Sequence, residues 1–182
     1  MWSDRLPETI VTERLRLRPW RLTDAEEVFV YAQKPEWSRF LRSLPRPYLR
    51  EDADRFIARQ LLLDPVQHPA WAIEHEGRVI GGINLGFLFE HASAELGYSV
   101  DPACWNRGLC TEAARAVVDA AFVTHADLNR VHARADANNA ASQRVMEKIG
   151  MQKEGVLRMS KIERGEAFDE AWYAILRTEW EG

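Results

Sequence analysis

The sequence predicts a single α/β domain built on a mixed sheet, and three observations carry that expectation. Segments with an apolar period of two recur along the chain between segments of helical period. Their order reads β-α-α-β-β-β-α-β-α-β-β, so strands and helices are interleaved. No repeat, low-complexity tract or Gly/Ser linker interrupts the 182 residues, a length that suits one sizeable core and not two.

Residues 12–20, TERLRLRPW, alternate Leu15 and Leu17 with arginines, which fits a half-buried first strand. Thr23-Asp24-Ala25-Glu26 has the S/T-x-x-E form of a capping box and opens a first helix to about Ala32. Pro35, Pro45 and Pro47 mark a loop with room for a short helix over 36–41. A second helix is expected over 50–63, where Phe56, Ile57, Gln60 and Leu61 share a face and Asp64-Pro65 ends it. Residues 71–75 and 79–88 form a hairpin turning at Glu76-Gly77-Arg78. AELGYSV, residues 94–100, is a further strand closed by Asp101-Pro102. Over 113–122, Ala114, Val117, Val118, Ala121 and Phe122 line one side of an amphipathic helix. A short strand over 130–135 precedes a helix over 141–149, with Gly150 just past its end. Residues 152–162 and 168–176 finish the chain as two strands around Arg164-Gly165-Glu166.

Composition narrows the function classes. Hydrophobic residues make up 46%, ordinary for a globular protein, and no apolar run approaches the ~20 residues of a membrane span. The N-terminal MWSDRLPETIVTERL lacks an apolar signal core, so a cytoplasmic protein with no membrane partner is expected. Cys104 and Cys110 are too few for a disulfide framework and lack metal-ligand spacing. The five histidines form no H-x₃-H or similar pair, so no metal is expected. The net charge is −4 and the basic residues are scattered, Arg39, Arg42, Arg46 and Arg50 being the nearest thing to a cluster. No direct nucleic-acid binding is therefore expected.

The chemistry centres on WNRGLCTEAA, residues 105–114. A strand, a glycine-containing loop and a helix start together make an anion cradle, because the first turn of a helix presents free N–H groups and the positive end of its dipole. Gly108 allows close backbone approach and Arg107 adds a charge. Taken alone, the loop equally fits a plain connection whose glycine serves packing. A Walker A loop is absent, and the nearest approach to G-x-G-x-x-G, Ile80 to Gly86, lies inside an expected strand.

Glu95-Leu96-Gly97-Tyr98-Ser99-Val100 with Pro102, followed by Trp105-Asn106-Arg107-Gly108-Leu109-Cys110-Thr111-Glu112-Ala113, resembles the acetyl-CoA motif of the GNAT N-acetyltransferases. Asn139-Ala140-Ala141-Ser142, Met146-Glu147-Lys148-Ile149-Gly150-Met151 and Glu154-Gly155 are similar to that family's N-x-x-S, E-K-x-G-F and E-G elements. The opening TERLRLR is typical of its RimJ/RimL-like branch, which acetylates protein N-termini, notably those of ribosomal proteins. The resemblance spans nearly the whole chain. It implies a mostly antiparallel sheet of about seven strands with about four helices, whose splayed central strands form the acetyl-CoA cleft. It implies acetyl-CoA as co-substrate, contacted by Tyr98, Ser99, Val100, Trp105, Asn106, Arg107, Gly108, Leu109, Cys110, Thr111, Asn139 and Ser142.

The same resemblance implies Glu95 as general base, at a position where several relatives keep a glutamate; a solvated strand-end carboxylate is the plain alternative. Met146 stands where many relatives place a tyrosine acid, which leaves Ser142 to protonate the leaving thiolate, to bond the cofactor or to cap its helix. Cys110 replaces a usual Gly or Ala, and Trp105 a usual Gln, Arg or Trp position; the contact implied is through the backbone. Lys161 occupies a place where an acidic residue can follow the E-G element, and alternation puts Glu163 on the same strand face. Trp71, Trp105 and Trp172 are read as packing on the sheet or lining the groove.

Magnitudes bear on the acceptor. An α-amine of pKa ~7.7–8.0 needs about 1 kcal/mol to lose its proton at pH 7, a lysine at ~10.4 about 4–5. An enzyme without the tyrosine suits an α-amine or a low-pKa small amine, and the RimJ/RimL resemblance makes a protein N-terminus the expected acceptor. A small amine (polyamine, amino-acid derivative or antibiotic) and a non-catalytic acyl-CoA-binding regulator stand as alternatives. Monomer and homodimer both fit.

Overall fold

A computed structural model describes residues 4–41 and 43–181. Arg42 of the arginine cluster and the first three residues of the N-terminal stretch lie outside them. In order the elements are β1 (Ile10–Val11), β2 (Arg16–Arg18), α1 (Ala25–Ala32), α2 (Pro35–Ser38), α3 (Arg50–Leu61), β3 (Ala70–His75), β4 (Arg78–Leu88), β5 (Ser93–Val100), α4 (Leu109–Thr124), β6 (Arg130–Asp136), α5 (Ala140–Lys148), β7 (Gln152–Glu163) and β8 (Glu166–Leu176). The described residues thus form eight strands and five helices, against about seven and about four expected. The additions are the two-residue β1 and the one-turn α2, whose first residue is a helix-starting proline.

The strands make one sheet in the order β1-β2-β3-β4-β5-β6-β8-β7, antiparallel except for β5 and β6. Alternation along β3 sends Ile73 to one core and Ala72 to another. The larger core lies under α4, whose Leu109, Ala113, Ala114, Val117, Val118, Ala121 and Phe122 are buried at helical spacing. The smaller one joins α1 and α3 through Val28, Tyr31, Ala53 and Ile57 to Trp20 and Val79. Helices α1 and α3 thus pack against β3 and β4, while a cavity remains open over β5, β6 and β8.

Two N-terminal expectations are corrected. The alternation of residues 12–20 is broken at the buried end of the strand, because Arg18 is only 5% exposed. Its guanidinium forks onto Asp24 (Nη1–Oδ2 and Nη2–Oδ1, both 2.9 Å) and reaches Glu74 (Nε–Oε2, 2.6 Å). The residue before the first helix is Asp24, not Thr23, and its side chain makes no cap bond to α1: a single-turn 3₁₀ segment over 22–24 precedes the helix, and Asp24 Oδ2 accepts the Arg21 N–H ahead of it at 2.8 Å. Both Asp24 oxygens are spoken for by a charge that the fold has buried.

At the other end of the chain, α5 closes with the Met151 N–H on the Met146 carbonyl and the Gly150 N–H on that of Glu147, the two bonds of a Schellman motif. Strand β7 forms the outer edge of the sheet and is bulged between Leu157 and Lys161, where Met159 takes a positive φ. No described helix is long and apolar enough to cross a membrane.

Candidate active site

The site begins where β5 and β6 part. Only three residue pairs join them, Ser93–Arg130, Ala94–Val131 and Glu95–His132. Beyond these, β5 stays with β4 to Val100 and β6 with β8 to Asp136, so the sheet opens as a V. The Asp101 N–H bonds the Ile80 carbonyl at 2.6 Å, which sets the antiparallel alternation along β5. By that alternation Ser99, Gly97 and Glu95 turn their backbone groups toward β4. Tyr98 and Val100 turn theirs into the V, as does the carbonyl of Leu96, whose N–H belongs to the last β5–β6 bridge. Of the stretch 98–100, Tyr98 therefore offers its backbone to the cleft, and Ser99 its side-chain face. The Val100 carbonyl is taken at 2.8 Å by the indole N–H of Trp105, which ties the loop to the end of the strand and leaves its ring 44% exposed.

Residues 101–108 then turn into α4. Asp101, held by Lys34 at 2.5 Å, accepts the Ala103 N–H, and Asn106 and Gly108 take positive φ values of 60° and 77°. Gly108 is the residue before the helix, with its carbonyl accepting the first intrahelical bond, from Glu112 N–H at 3.0 Å. The N–H groups of Leu109, Cys110 and Thr111 precede that bond and have no partner within the helix. A Cβ on Gly108 would be strained by its φ and would sit 3.5 Å from Arg14 Nη2. The donor set and the bare backbone fit a diphosphate.

The loop is braced from the N-terminal segment, which sequence reasoning noticed only as a resemblance. Glu112 in the first turn of α4 accepts from Thr12 Oγ1 (2.6 Å), the Arg14 N–H (2.9 Å) and Arg14 Nε (2.7 Å). Burial alone would raise this carboxyl, but those donors outweigh it and hold it below the usual range. Arg14 Nη1 also reaches the Arg107 carbonyl at 2.9 Å. The Arg107 guanidinium turns to the buried His75, Nη2 to Nε2 at 3.1 Å. A guanidinium only donates, so Nε2 accepts and Nδ1–H points to the Arg14 carbonyl at 3.0 Å. Arg107 is thus anchored by its side chain, and its charge sits beside the loop.

Across the V, Asn139 caps α5 by accepting the Ser142 N–H at 3.1 Å, which settles the cap on Asn139 and releases the Ser142 hydroxyl. That hydroxyl lies 3.0 Å from the Tyr98 hydroxyl, which also reaches the Ser142 carbonyl at 3.0 Å. Met146, 1% exposed, sits one turn further along. Cys110 packs against the main core, and burial pushes its thiol up to about 12. At neutral pH it is a thiol and not a thiolate, so alkylation by iodoacetamide at pH 7.5 should run at least tenfold slower than for a free peptide cysteine; a rate equal to the peptide's would contradict this burial.

The other side of the V is a cavity of about 410 Å³ between the sheet and the 40–60 segment. Glu95, Gly97 and Ser99 form its floor beside Asn84, whose Oδ1 would stand 2.8 Å from a Cβ at Gly97. Glu95 pairs with Arg134 (Oε1–Nε, 2.9 Å) and lies 4.0 Å from His132 Nε2. Arg134 lies over the Trp172 ring and 3.8 Å from the buried Glu170, which accepts from Ser160 at 2.9 Å. His132 stacks on Trp172, and burial lowers its pKa, so it is neutral at pH 7. Lys161 and Glu163 do share a face of β7 and pair at 2.7 Å on the cavity wall. Among the described residues, four carboxylates (Glu95, Asp136, Glu163, Glu170) line this cavity against two cations, Arg134 and Lys161. Arg134, Asn84 and Glu170 escaped sequence reasoning; the polar alternation of His132, Arg134 and Asp136 in β6 was the available signal. Trp71 packs in the core, with its indole N–H on the Pro7 carbonyl. Among the described residues no group of three His, Cys, Asp or Glu is placed to hold a metal ion.

Comparison with known proteins agrees with this geometry. A family model described as an acetyltransferase (GNAT) domain matches residues 14–152. The chain is 31% identical over 172 residues to the N-acetyltransferase YnaD of Bacillus subtilis, whose own function is uncharacterised, covering 94% of this chain and 98% of that one. It is 29% identical to YdaF of the same organism, provisionally named a ribosomal N-acetyltransferase, covering 99% and 88%. The crystal structure of a GNAT-family acetyltransferase from Bacillus anthracis superposes with a TM-score of 0.82 at 28% identity, covering 94% of this chain and 99% of that one.

Proposed function

The chain belongs to the GNAT acetyltransferase family, and from that premise we propose that it acetylates the α-amino group of a protein N-terminus. The carrying observation is the carboxylate-rich cavity with Glu95 on its floor, at the point beyond which β5 parts from β6. A cavity whose described residues include two more acids than bases draws in an ammonium group, and a carboxylate at its floor can then take one proton from it. The name of YdaF lends support to a ribosomal-protein acceptor.

Acetyl-CoA, when bound, supplies an acetyl thioester as electrophile. The loop N–H groups of Leu109, Cys110 and Thr111, with Gly108 ahead of them, hold its diphosphate. The backbone of Leu96 and Tyr98 binds the arm that carries the thioester, and an N–H of that stretch stabilises the oxyanion. Glu95 removes the proton from the attacking amine. Its pairing with Arg134 orients the carboxylate on the floor of the cavity. A single carboxylate suffices for an α-amine, which lies within about 1 kcal/mol of its neutral form at pH 7. On the leaving side, the Tyr98 hydroxyl has one proton to place, on the Ser142 carbonyl or on Oγ. When it goes to Oγ, the Ser142 proton is free to turn to the departing sulfur.

Thiol release from acetyl-CoA in the presence of hexapeptides with free N-termini, compared with polyamines and amino-sugar amines, tests the reading. Peptides should be turned over with kcat/KM at least tenfold above any small amine. Turnover of small amines alone would overturn it.

A further inference from the structure

A second cavity of about 420 Å³ adjoins the first, sharing Phe40 and Glu163 as common walls. Arg39, Arg46 and Arg164 converge on it from two distant parts of the chain, the α2–α3 segment and the β7–β8 turn. Two of the four arginines singled out in the sequence thus gain a third partner. Arg50, by contrast, turns away to Glu26 and Asp54.

The donors of these three groups are only partly used. Arg46 Nη2 bonds the Ser38 carbonyl at 2.6 Å, and Arg164 Nη2 bonds the Leu44 carbonyl. Each bond spends one of the five N–H donors that a guanidinium carries. Arg39 lies over the Phe40 ring, 5.1 Å from its centroid, with no side-chain hydrogen bond or ion pair among the described residues. Two carboxylates share the cavity wall. Glu163 is paired to Lys161 at 2.7 Å, and Glu166 has a partner of its own. Among the described residues, three fixed cations therefore face two carboxylates that already have partners. The sign is opposite to that of the neighbouring cavity, where carboxylates exceed cations. An acceptor spanning both would be positive at its amine and negative further along.

Resting on the protein N-terminus reading, we propose that the preferred acceptor carries an aspartate or glutamate within its first few residues, whose carboxylate is received by Arg39, Arg46 and Arg164. Guanidinium forks match carboxylates in plane and can bind them through two N–H groups at once. An extended peptide with its amine at Glu95 passes Phe40 and Glu163 and brings its next side chains, about 3.3 Å per residue further on, to the arginines.

The test is a set of hexapeptides identical except for a single Asp or Lys moved through positions 2 to 5, assayed by thiol release at saturating acetyl-CoA. At the best position Asp should exceed Lys by roughly three- to tenfold in kcat/KM, carried by KM, and the gap should narrow in 0.5 M salt, as expected for partly exposed pairs. Arg39 is exposed and unbonded, so Arg39→Glu can be expected to fold, and it should reverse the preference at that same position. Equal rates for Asp and Lys at every position, or a ratio unmoved by Arg39→Glu, would overturn the arginine site while leaving peptide acetylation standing. Small-amine turnover with every peptide inert would remove the protein N-terminus reading and this inference with it.

Discussion

Glu95→Gln is expected to lower kcat by about 10²–10³-fold on any acceptor while acetyl-CoA binds with unchanged affinity. The split follows from geometry. In the proposed reading Glu95 serves the acceptor face of β5, whereas the groups proposed for the cofactor are the backbone of Leu96 and Tyr98 and the loop before α4. Glutamine preserves the size of the side chain and can still accept from Arg134 Nε, now without the ionic component of the 2.9 Å contact. What disappears is the capacity to hold a proton. Steady-state rates across pH, with cofactor affinity measured by calorimetry, check the assignment. A variant whose pH–rate profile matches the parent would exclude Glu95 as the base and turn attention to Glu163, on the wall of the same cavity.

The second large effect is on stability. Asp24→Ala should cost about 3–5 kcal/mol, because it strands a buried arginine. Arg18 is 5% exposed and Asp24 3%, and the two Arg18–Asp24 bonds are accompanied by one to Glu74. Removing one partner leaves a charge in the interior with too few acceptors. For a chain of this size, such a loss lowers Tm on the order of 10 °C. Thermal and urea denaturation would measure it, and a loss under 1 kcal/mol would show that water reaches Arg18. Replacing both partners, as in Arg18→Met with Asp24→Leu, should recover much of the loss, since apolar packing then takes the place of the pair.

Arg18 also marks the limit of what could be read from letters. The period of two in residues 12–20 located β2 and its buried Leu17, but alternation cannot reveal that the other face is covered too. That depends on Asp24 and Glu74 arriving from elsewhere, one of them 56 residues away in sequence. The same holds for Thr23: the capping-box pattern marked the right turn, yet α1 starts after Asp24, whose carboxylate is committed to the buried guanidinium and to the Arg21 N–H. Strand and helix positions in the centre of the chain were legible because each has its own period, and the bare loop at Gly108 because glycine before a helix is a local signal. The acceptor side was not. Arg134 against Glu95 is a contact across 39 residues, and it exists only because the first three pairs of β5 and β6 bring the strands together before they part.

The clasp of Thr12 and Arg14 on Glu112 has a thermodynamic corollary. If, as proposed, this turn of α4 holds the diphosphate, docking of the N-terminal segment and binding of the cofactor act on one turn, and any factor by which one changes the other is returned equally. Because the clasp holds the turn that offers its N–H groups, a displaced N-terminus is expected to weaken the hold on cofactor, and a bound cofactor to hold the N-terminus in place. Because the Glu112 carboxyl is held below its ordinary range, its share of that reciprocity is complete above the carboxylate range and fades as acid protonates it. A few residues ahead of β2 thereby act as a tether whose tension the cofactor site can feel.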